Sequence, residues 1–182
     1  RNYNLKRFKE FIEFDEVRKN NKDIIYSTKL LSNQKLFLFV SSGKVFTIDP
    51  KNIPSGKSNP KSFIYFVDSL PNDKVVGLLS SNNTNIFSAS NNGKGFISNI
   101  NQLMTNQRKG RQYFNLKNND LVLKVFSISK SHVACVTNLQ KLLIFDKNYV
   151  PNLQKGVGVQ LIKIKNKDHL SDIIEINPKD GL

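Results

Sequence analysis

Apolar residues in this chain fall in short runs separated by polar turns, and the order of the runs repeats at a spacing of roughly fifty residues. Leu36-Phe37-Leu38-Phe39-Val40 recurs as Asn85-Ile86-Phe87-Ser88-Ala89 and as Val133-Ala134-Cys135-Val136. Each run passes through a polar turn, Ser42-Gly43-Lys44, Asn92-Gly93-Lys94 or Leu139-Gln140-Lys141, into Val45-Phe46-Thr47-Ile48, Gly95-Phe96-Ile97 or Leu142-Leu143-Ile144-Phe145. Short apolar runs joined by Gly- and Asn-containing turns read as β-hairpins. A connector follows, closing at Ile53-Pro54, Leu103-Met104 and Val150-Pro151, then a polar segment holding Gly with Lys or Arg. Third strands are expected at Phe63-Ile64-Tyr65-Phe66, Tyr113-Phe114-Asn115-Leu116 and Leu161-Ile162-Lys163-Ile164, and fourth strands after Asp73, Asp120 and Asp168.

The pattern therefore predicts an all-β domain over 1–182, with four-stranded repeats at 34–82, 83–131 and 132–176. Only the connectors near 50–53 and 99–104 are expected to be helical. Residues 8–33 supply half a repeat, with Phe11-Ile12-Glu13-Phe14 in the third-strand position and Asp23-Ile24-Ile25-Tyr26 in the fourth. Four short strands per repeat at this period point to a propeller-like disc of about three and a half blades, fewer than the ~4–8 that close one. An excerpt of a longer polypeptide, or an open disc, is the expectation.

Composition allows a real core: 38% of residues are hydrophobic and 13 are Phe, although Trp is absent. No apolar run approaches the ~20 residues that span a bilayer, and the basic start lacks the apolar stretch of a signal peptide. The single cysteine, Cys135, excludes an internal disulfide and fits a reducing cytoplasm. Between Val133, Ala134 and Val136 it reads as a small buried hydrophobe.

Charge sharpens the picture through its position. The net charge is +14, but 23 of the 28 basic residues are lysine and Asn is abundant, a bias that needs no ligand. Residues 83–131 hold seven basic residues against the one acid Asp120. Within them Gln107-Arg108-Lys109-Gly110-Arg111-Gln112 forms one compact loop before the third run. Guanidinium groups grip phosphate oxygens with paired hydrogen bonds, and glycine lets the backbone approach them. The equivalent loops, Ser55-Gly56-Lys57 with Lys61 and Gln154-Lys155-Gly156-Val157-Gly158, should project from the same edge of the disc. A curved row of positive loops would follow a bent duplex through its phosphates with little base reading.

Taken in order, these blocks carry a resemblance. The runs Gly43-Lys44-Val45-Phe46-Thr47-Ile48-Asp49-Pro50 with Ile53-Pro54, Gly95-Phe96-Ile97 with Asn106-Gln107-Arg108-Lys109-Gly110, and Lys141-Leu142-Leu143-Ile144-Phe145 with Val150-Pro151 and Gln154 to Gly158 are similar to successive blades of the C-terminal domain of the topoisomerase IV A subunit. The resemblance covers roughly residues 8–176. It implies a β-pinwheel, whose blades exchange strands, and a basic rim that binds and bends double-stranded DNA. Rim positions would be Lys57, Lys61, Lys94, Arg108, Lys109, Arg111, Gln112 and Lys155. It also implies the rest of the A subunit and the ATP-hydrolysing B subunit as partners in a heterotetramer, and a bacterial, nucleoid-associated location in the cytoplasm. No cofactor is expected in this chain; ATP and Mg²⁺ are implied for the full enzyme. The gyrase A domain carries a box of the form Q-R-R-G-G-x-G; here Gln107-Arg108-Lys109-Gly110 matches its start, and Arg111 and Gln112 replace the next glycines.

Catalytic readings are thin. Gly93-Lys94-Gly95 and Gly156-Val157-Gly158 lack the third glycine of a dinucleotide loop, and Ser42-Gly43-Lys44 lacks the upstream glycine of a P-loop. His132 and His169 have no companion at metal-ligand spacing. Asn82-Asn83-Thr84 fits a glycosylation acceptor, but such triplets are common by chance. Asp73, Asp120 and Asp168 occupy equivalent positions and read as turn residues. No tyrosine follows an arginine directly, as the strand-cleaving tyrosine of type IIA enzymes does. Two classes remain, a DNA-binding accessory domain with no catalytic group and a propeller that docks proteins.

Overall fold

The computed structural model describes residues 3–8, 24–117, 119–165 and 168–180. Its strands are β1 (Asn4–Leu5), β2 (Leu36–Val40), β3 (Lys44–Ile48), β4 (Lys61–Ser62), β5 (Val75–Ser80), β6 (Asn85–Ser90), β7 (Lys94–Asn99), β8 (Arg111–Gln112), β9 (Val122–Ser127), β10 (His132–Thr137), β11 (Leu142–Asp146), β12 (Val159–Gln160) and β13 (Leu170–Ile176). The hairpins β2–β3, β6–β7 and β10–β11 each pair with the strand expected after the recurring Asp, giving β5–β2–β3, β9–β6–β7 and β13–β10–β11. All pairs within these sheets are antiparallel. The register slips at the same point in each, between Phe39 and Val40, Ala89 and Ser90, and Val136 and Thr137. A bulge recurring at one position shows that the repeat seen in the sequence is a repeat of backbone geometry.

Local chemistry explains each corner. The hairpin turns place Gly43 at φ 83°, Gly93 at 70° and Gln140 at 59°. Asp73 accepts hydrogen bonds from the Ser42 and Leu70 amides, Asp120 from Asn92 and Leu121, and Asp168 from Leu139 and His169. Each buried carboxylate thus ties a hairpin turn to the start of the fourth strand. After the second strands, Asp49, Asn99 and Asp146 accept from the amides two residues on and cap short 3₁₀ turns, Pro50–Asn52, Ile100–Leu103 and Lys147–Tyr149. Of these, the third was not expected from the sequence, nor were the 3₁₀ turns Phe63–Tyr65 and Pro178–Asp180.

The third strands require correction. They lie two residues before the expected runs, are two residues long, and join the preceding sheet. β8 pairs with β3 through Gln112 opposite Lys44 and Arg111 opposite Val45. β12 pairs with β7 through Gln160 opposite Lys94 and Val159 opposite Gly95, and β4 pairs with β1. Each such strap therefore crosses from its own repeat to the outer edge of the one before, which is the strand exchange of a pinwheel. The apolar residues that follow are anchors between blades, and continuous apolarity there reflects burial from both sides. Tyr113 and Phe114 pack among Phe37, Phe39, Val45, Phe96, Val122 and Val125. Leu161 and Ile162 do the same among Phe87, Ile97, Val133 and Leu170. The Tyr113 hydroxyl, fully buried, finds the Ser88 hydroxyl at 3.1 Å.

The first half-blade also differs from expectation. Asn4–Leu5 takes the second-strand position, and residues 24–26 form no strand, the Tyr26 hydroxyl donating to the Val75 carbonyl at 3.4 Å. The apolar run at 11–14 lies outside the described residues. Fourth strands of neighbouring sheets, β5 with β9 and β9 with β13, pack against each other. They form the inner side of the array, so the second strands and their straps form its outer edge.

Candidate nucleic-acid interface

The outer edge is where the basic loops emerge. Between each 3₁₀ turn and its strap the chain leaves one sheet and lies on another; before β8 and β12 glycine permits a close crossing, whereas before β4 Pro60 precedes the strap and a Cβ at Gly56 would meet nothing within 4 Å. Gly110 has φ 67°, and a Cβ there would meet the Phe46 ring at 2.6 Å and the Val45 carbonyl at 2.8 Å. Gly158 crosses Gly95 in the same way. The loops before the Gly110 and Gly158 crossings expose Arg108, Lys109 and Lys155, and the segment leading into β4 exposes Lys57, with Lys61 exposed on β4 itself.

These residues are not equivalent in their contacts. The Arg108 guanidinium donates from Nε to Asp68 at 3.2 Å and from Nη2 to the Tyr65 carbonyl at 3.2 Å. Lys61 places its ammonium 4.1 Å from the centre of the Tyr65 ring. Lys61 and Arg108, on different straps, thus meet at Tyr65. Half-buried Arg111 donates to the Gln102 carbonyl at 2.6 Å, which directs its side chain along the edge toward the next repeat. There a cleft of about 380 Å³ is lined by Asn85, Asn99, Gln102, Asn152, Leu153 and Gln154, a nearly continuous set of neutral donors and acceptors. Lys94 is half-buried at the start of β7, opposite Gln160 of its strap as Lys44 stands opposite Gln112.

Gln112 is turned inward. Its amide donates to the carbonyls of Ser42 and Phe114 at 2.9 and 2.7 Å, and Gln160 does the same to Asn92, Gly93 and Ile162. Both clamp a strap to the turn it covers. Among the described residues no group of His, Cys, Asp and Glu could hold a metal ion, and no helix is long and apolar enough to cross a membrane. Cys135 is buried, which pushes its thiol up to about 12.

Comparison with known proteins agrees with this architecture. The model of the DNA gyrase C-terminal domain, a β-propeller, matches residues 84–129 and 141–177. The DNA topoisomerase 4 A subunit of Rickettsia felis is 32% identical over 151 residues, covering 83% of this chain and 20% of the relative. The Escherichia coli ParC C-terminal domain superposes with a TM-score of 0.74 at 25% identity, over 80% of this chain and 63% of that structure. The chain belongs to the family of C-terminal domains of the gyrase and topoisomerase IV A subunits. A further solved C-terminal domain of DNA topoisomerase IV, at 18% identity, shares the fold with a TM-score of 0.77. Relative to its curated family members the chain spans about a fifth of their length, 20%.

Within this family frame, sequence reasoning missed two residues at the edge. Lys44 donates its ammonium to the Lys109 carbonyl at 3.3 Å, adding a cation beside the loop that holds Arg108 and Lys109. Its signal was present, since Lys44, Lys94 and Lys141 repeat after the three hairpin turns. Asp68 was the other, a carboxylate that partly neutralises Arg108. Its distance of forty residues in sequence from Arg108 hid it.

Proposed function

We propose that this chain is a duplex-DNA-binding and DNA-bending domain of a topoisomerase IV A subunit, acting through phosphate contacts on its outer edge. The observation that carries the reading is the placement of Lys57, Lys61, Arg108, Lys109 and Lys155 on successive strap loops that all face outward, with Lys44 and Arg111 behind them. The exposed pair of Arg108 with Asp68 is worth about 0–1 kcal/mol, so a phosphate can take the guanidinium at small cost. Arg108, Lys109 and Arg111, with Lys44 beside them, concentrate the attraction on one part of the arc. Contact over part of an arc suits bending, and smooth bending of a short site costs on the order of 1–6 kcal/mol, which several phosphate contacts offset.

In this reading the chain contributes no catalytic group. Strand cleavage, ATP hydrolysis and Mg²⁺ binding belong to the rest of the A subunit and to the ATP-hydrolysing B subunit, with which it would work in a heterotetramer in the bacterial cytoplasm. A gyrase-type full wrap is the second reading, favoured only by Gln107-Arg108-Lys109-Gly110; the side chains of Arg111 and Gln112 stand where further glycines would continue. The domain should bend DNA without constraining positive supercoils. Replacing Arg108, Lys109 and Arg111 together by Glu tests the placement. Binding to duplexes of different sequence should weaken uniformly, with the far-UV spectrum unchanged. Undiminished binding would refute the assignment of this edge.

A further inference from the structure

One position recurs along the outer edge with a change of chemistry. The residue three places beyond the last paired residue of each strap is Tyr65, Asn115 or Lys163, and all three are exposed. An aromatic ring thus stands in solvent where the other repeats place an amide and an ammonium, and Tyr65 is 60% exposed. Its setting is firm. The Tyr65 carbonyl accepts from Arg108 Nη2 at 3.2 Å, and the Asp68 amide donates to the Arg108 carbonyl at 2.8 Å, so the two loops are tied together beneath the ring. The ring meets Phe66 edge to face, with centroids 5.3 Å apart and planes at 79°, and Phe66 packs on the core around Phe63 and Val67. Lys61 holds its ammonium over the ring, 4.1 Å from the centre.

We propose that Tyr65 is a stacking platform for a nucleobase displaced from duplex DNA, with Lys61 and Arg108 taking the phosphates that flank it. The inference rests on the outer edge being a DNA-binding surface and adds to it one contact with a base. Charge complementarity identifies the occupant. Lys57 and Lys109 are exposed on the same two loops, so the ring lies among cations that outnumber Asp68, and a planar group carried on a polyanion fits that surface. Aromatic side chains set among cations stack on bases of any sequence, because every base has a π face. A bend supplies the base: kinking partly unstacks a step, and an unpaired base costs least to turn out. The constellation occurs once among the described repeats, since Gly156 takes the place of Arg108 two residues before the next crossing glycine, and Asn115 that of Tyr65. One point on the arc would then hold a distorted step while the other cations hold the backbone.

Two duplexes of one sequence provide the test, one fully paired and one with a single unpaired 2-aminopurine at its centre, each titrated with the whole domain at the same salt. The domain should bind the bulged duplex at least about fivefold more tightly, and the 2-aminopurine emission should fall on binding. Tyr65→Ala should abolish both the preference and the quenching while leaving the paired-duplex affinity, its salt slope and the far-UV spectrum unchanged, because the ring is exposed and makes no phosphate contact. Tyr65→Phe should keep both effects, since the ring face does the stacking. Equal wild-type affinity for the two duplexes would overturn the platform and leave the phosphate edge standing. A preference that survives Tyr65→Ala, or a loss equal on both duplexes, would overturn it as well. Absence of salt-dependent binding to either duplex would overturn the edge reading and this proposal together.

Discussion

Gly43→Ala is the sharpest single test of the strap geometry. Gly43 sits at φ 83°, where an L-residue costs roughly 1–2 kcal/mol. The added Cβ would also lie 2.3 Å from the Phe114 backbone oxygen and 3.2 Å from its Cβ, so the strap itself must lift. That strap carries Tyr113 and Phe114, both essentially fully buried. Complete loss of one such aromatic costs about 3–5 kcal/mol, and partial lifting about a third of that, for a total on the order of 2–4 kcal/mol. Gly93→Ala should cost less, because the backbone oxygen it would meet, that of Ile162, stands at 3.0 Å against 2.3 Å at Gly43, and its nearest neighbour is the flexible end of Ile164 at 2.9 Å. Gln140→Gly, at φ 59° on a hairpin turn that no strap covers among the described residues, should be neutral or stabilising by up to ~1 kcal/mol. Urea unfolding followed by circular dichroism, with exchange protection of β3 and β8, separates the three. Wild-type stability of Gly43→Ala, or equal losses at Gly43 and Gln140, would refute the reasoning.

Asp168 should make the third blade acid-sensitive. Burial alone would raise its carboxyl, but the Leu139 and His169 amides, the Thr137 hydroxyl and Lys141, 3.6 Å away, outweigh it and hold the carboxyl below the usual range. A depressed native value means stability that is present above the unfolded value of about 4 and lost as pH falls through the native one. Asp168→Asn should flatten this loss in melts taken between about pH 5 and pH 2, and an unchanged profile would contradict it. Cys135 should resist alkylation in the native domain at pH 8 and react fully after denaturation, since its thiol is buried and held near 12. Stoichiometric native labelling would show that the sheet opens. Tyr113→Phe should destabilise by about 1–2 kcal/mol in chemical denaturation, because it leaves the Ser88 hydroxyl buried without its partner; a neutral effect would count against that bond.

The hairpins and fourth strands were legible because their signals are local. Gly43 and Gly93 mark turns, Asp73, Asp120 and Asp168 mark the return, and short apolar runs mark the strands between. The straps were misplaced because their pairing partner is nearly seventy residues away in sequence, Gln112 opposite Lys44, and because a two-residue strand has no periodicity to read. Their apolar successors, Tyr113 and Phe114, imitate a strand while serving as anchors. At the edge, composition could single out Arg108, Lys109 and Arg111 but not their environments. Gln112 looks like a polar contact residue in sequence, and only the fold turns its amide onto Ser42 and Phe114. The carboxylate at Asp68 was invisible for the same reason, since it reaches Arg108 across a blade boundary.

Duplex binding measured against salt tests the central claim most directly. Each neutralised phosphate contributes about −0.9 to the slope of log K against log salt, so simultaneous engagement of three to six edge cations gives a slope of roughly −3 to −5. Wild type should give a slope in that range, reduced by roughly 2 to 3 when Arg108, Lys109 and Arg111 are replaced by Glu. A salt-independent affinity, or no duplex binding at about 50 mM salt, would contradict the assignment of the outer edge as a phosphate-binding surface.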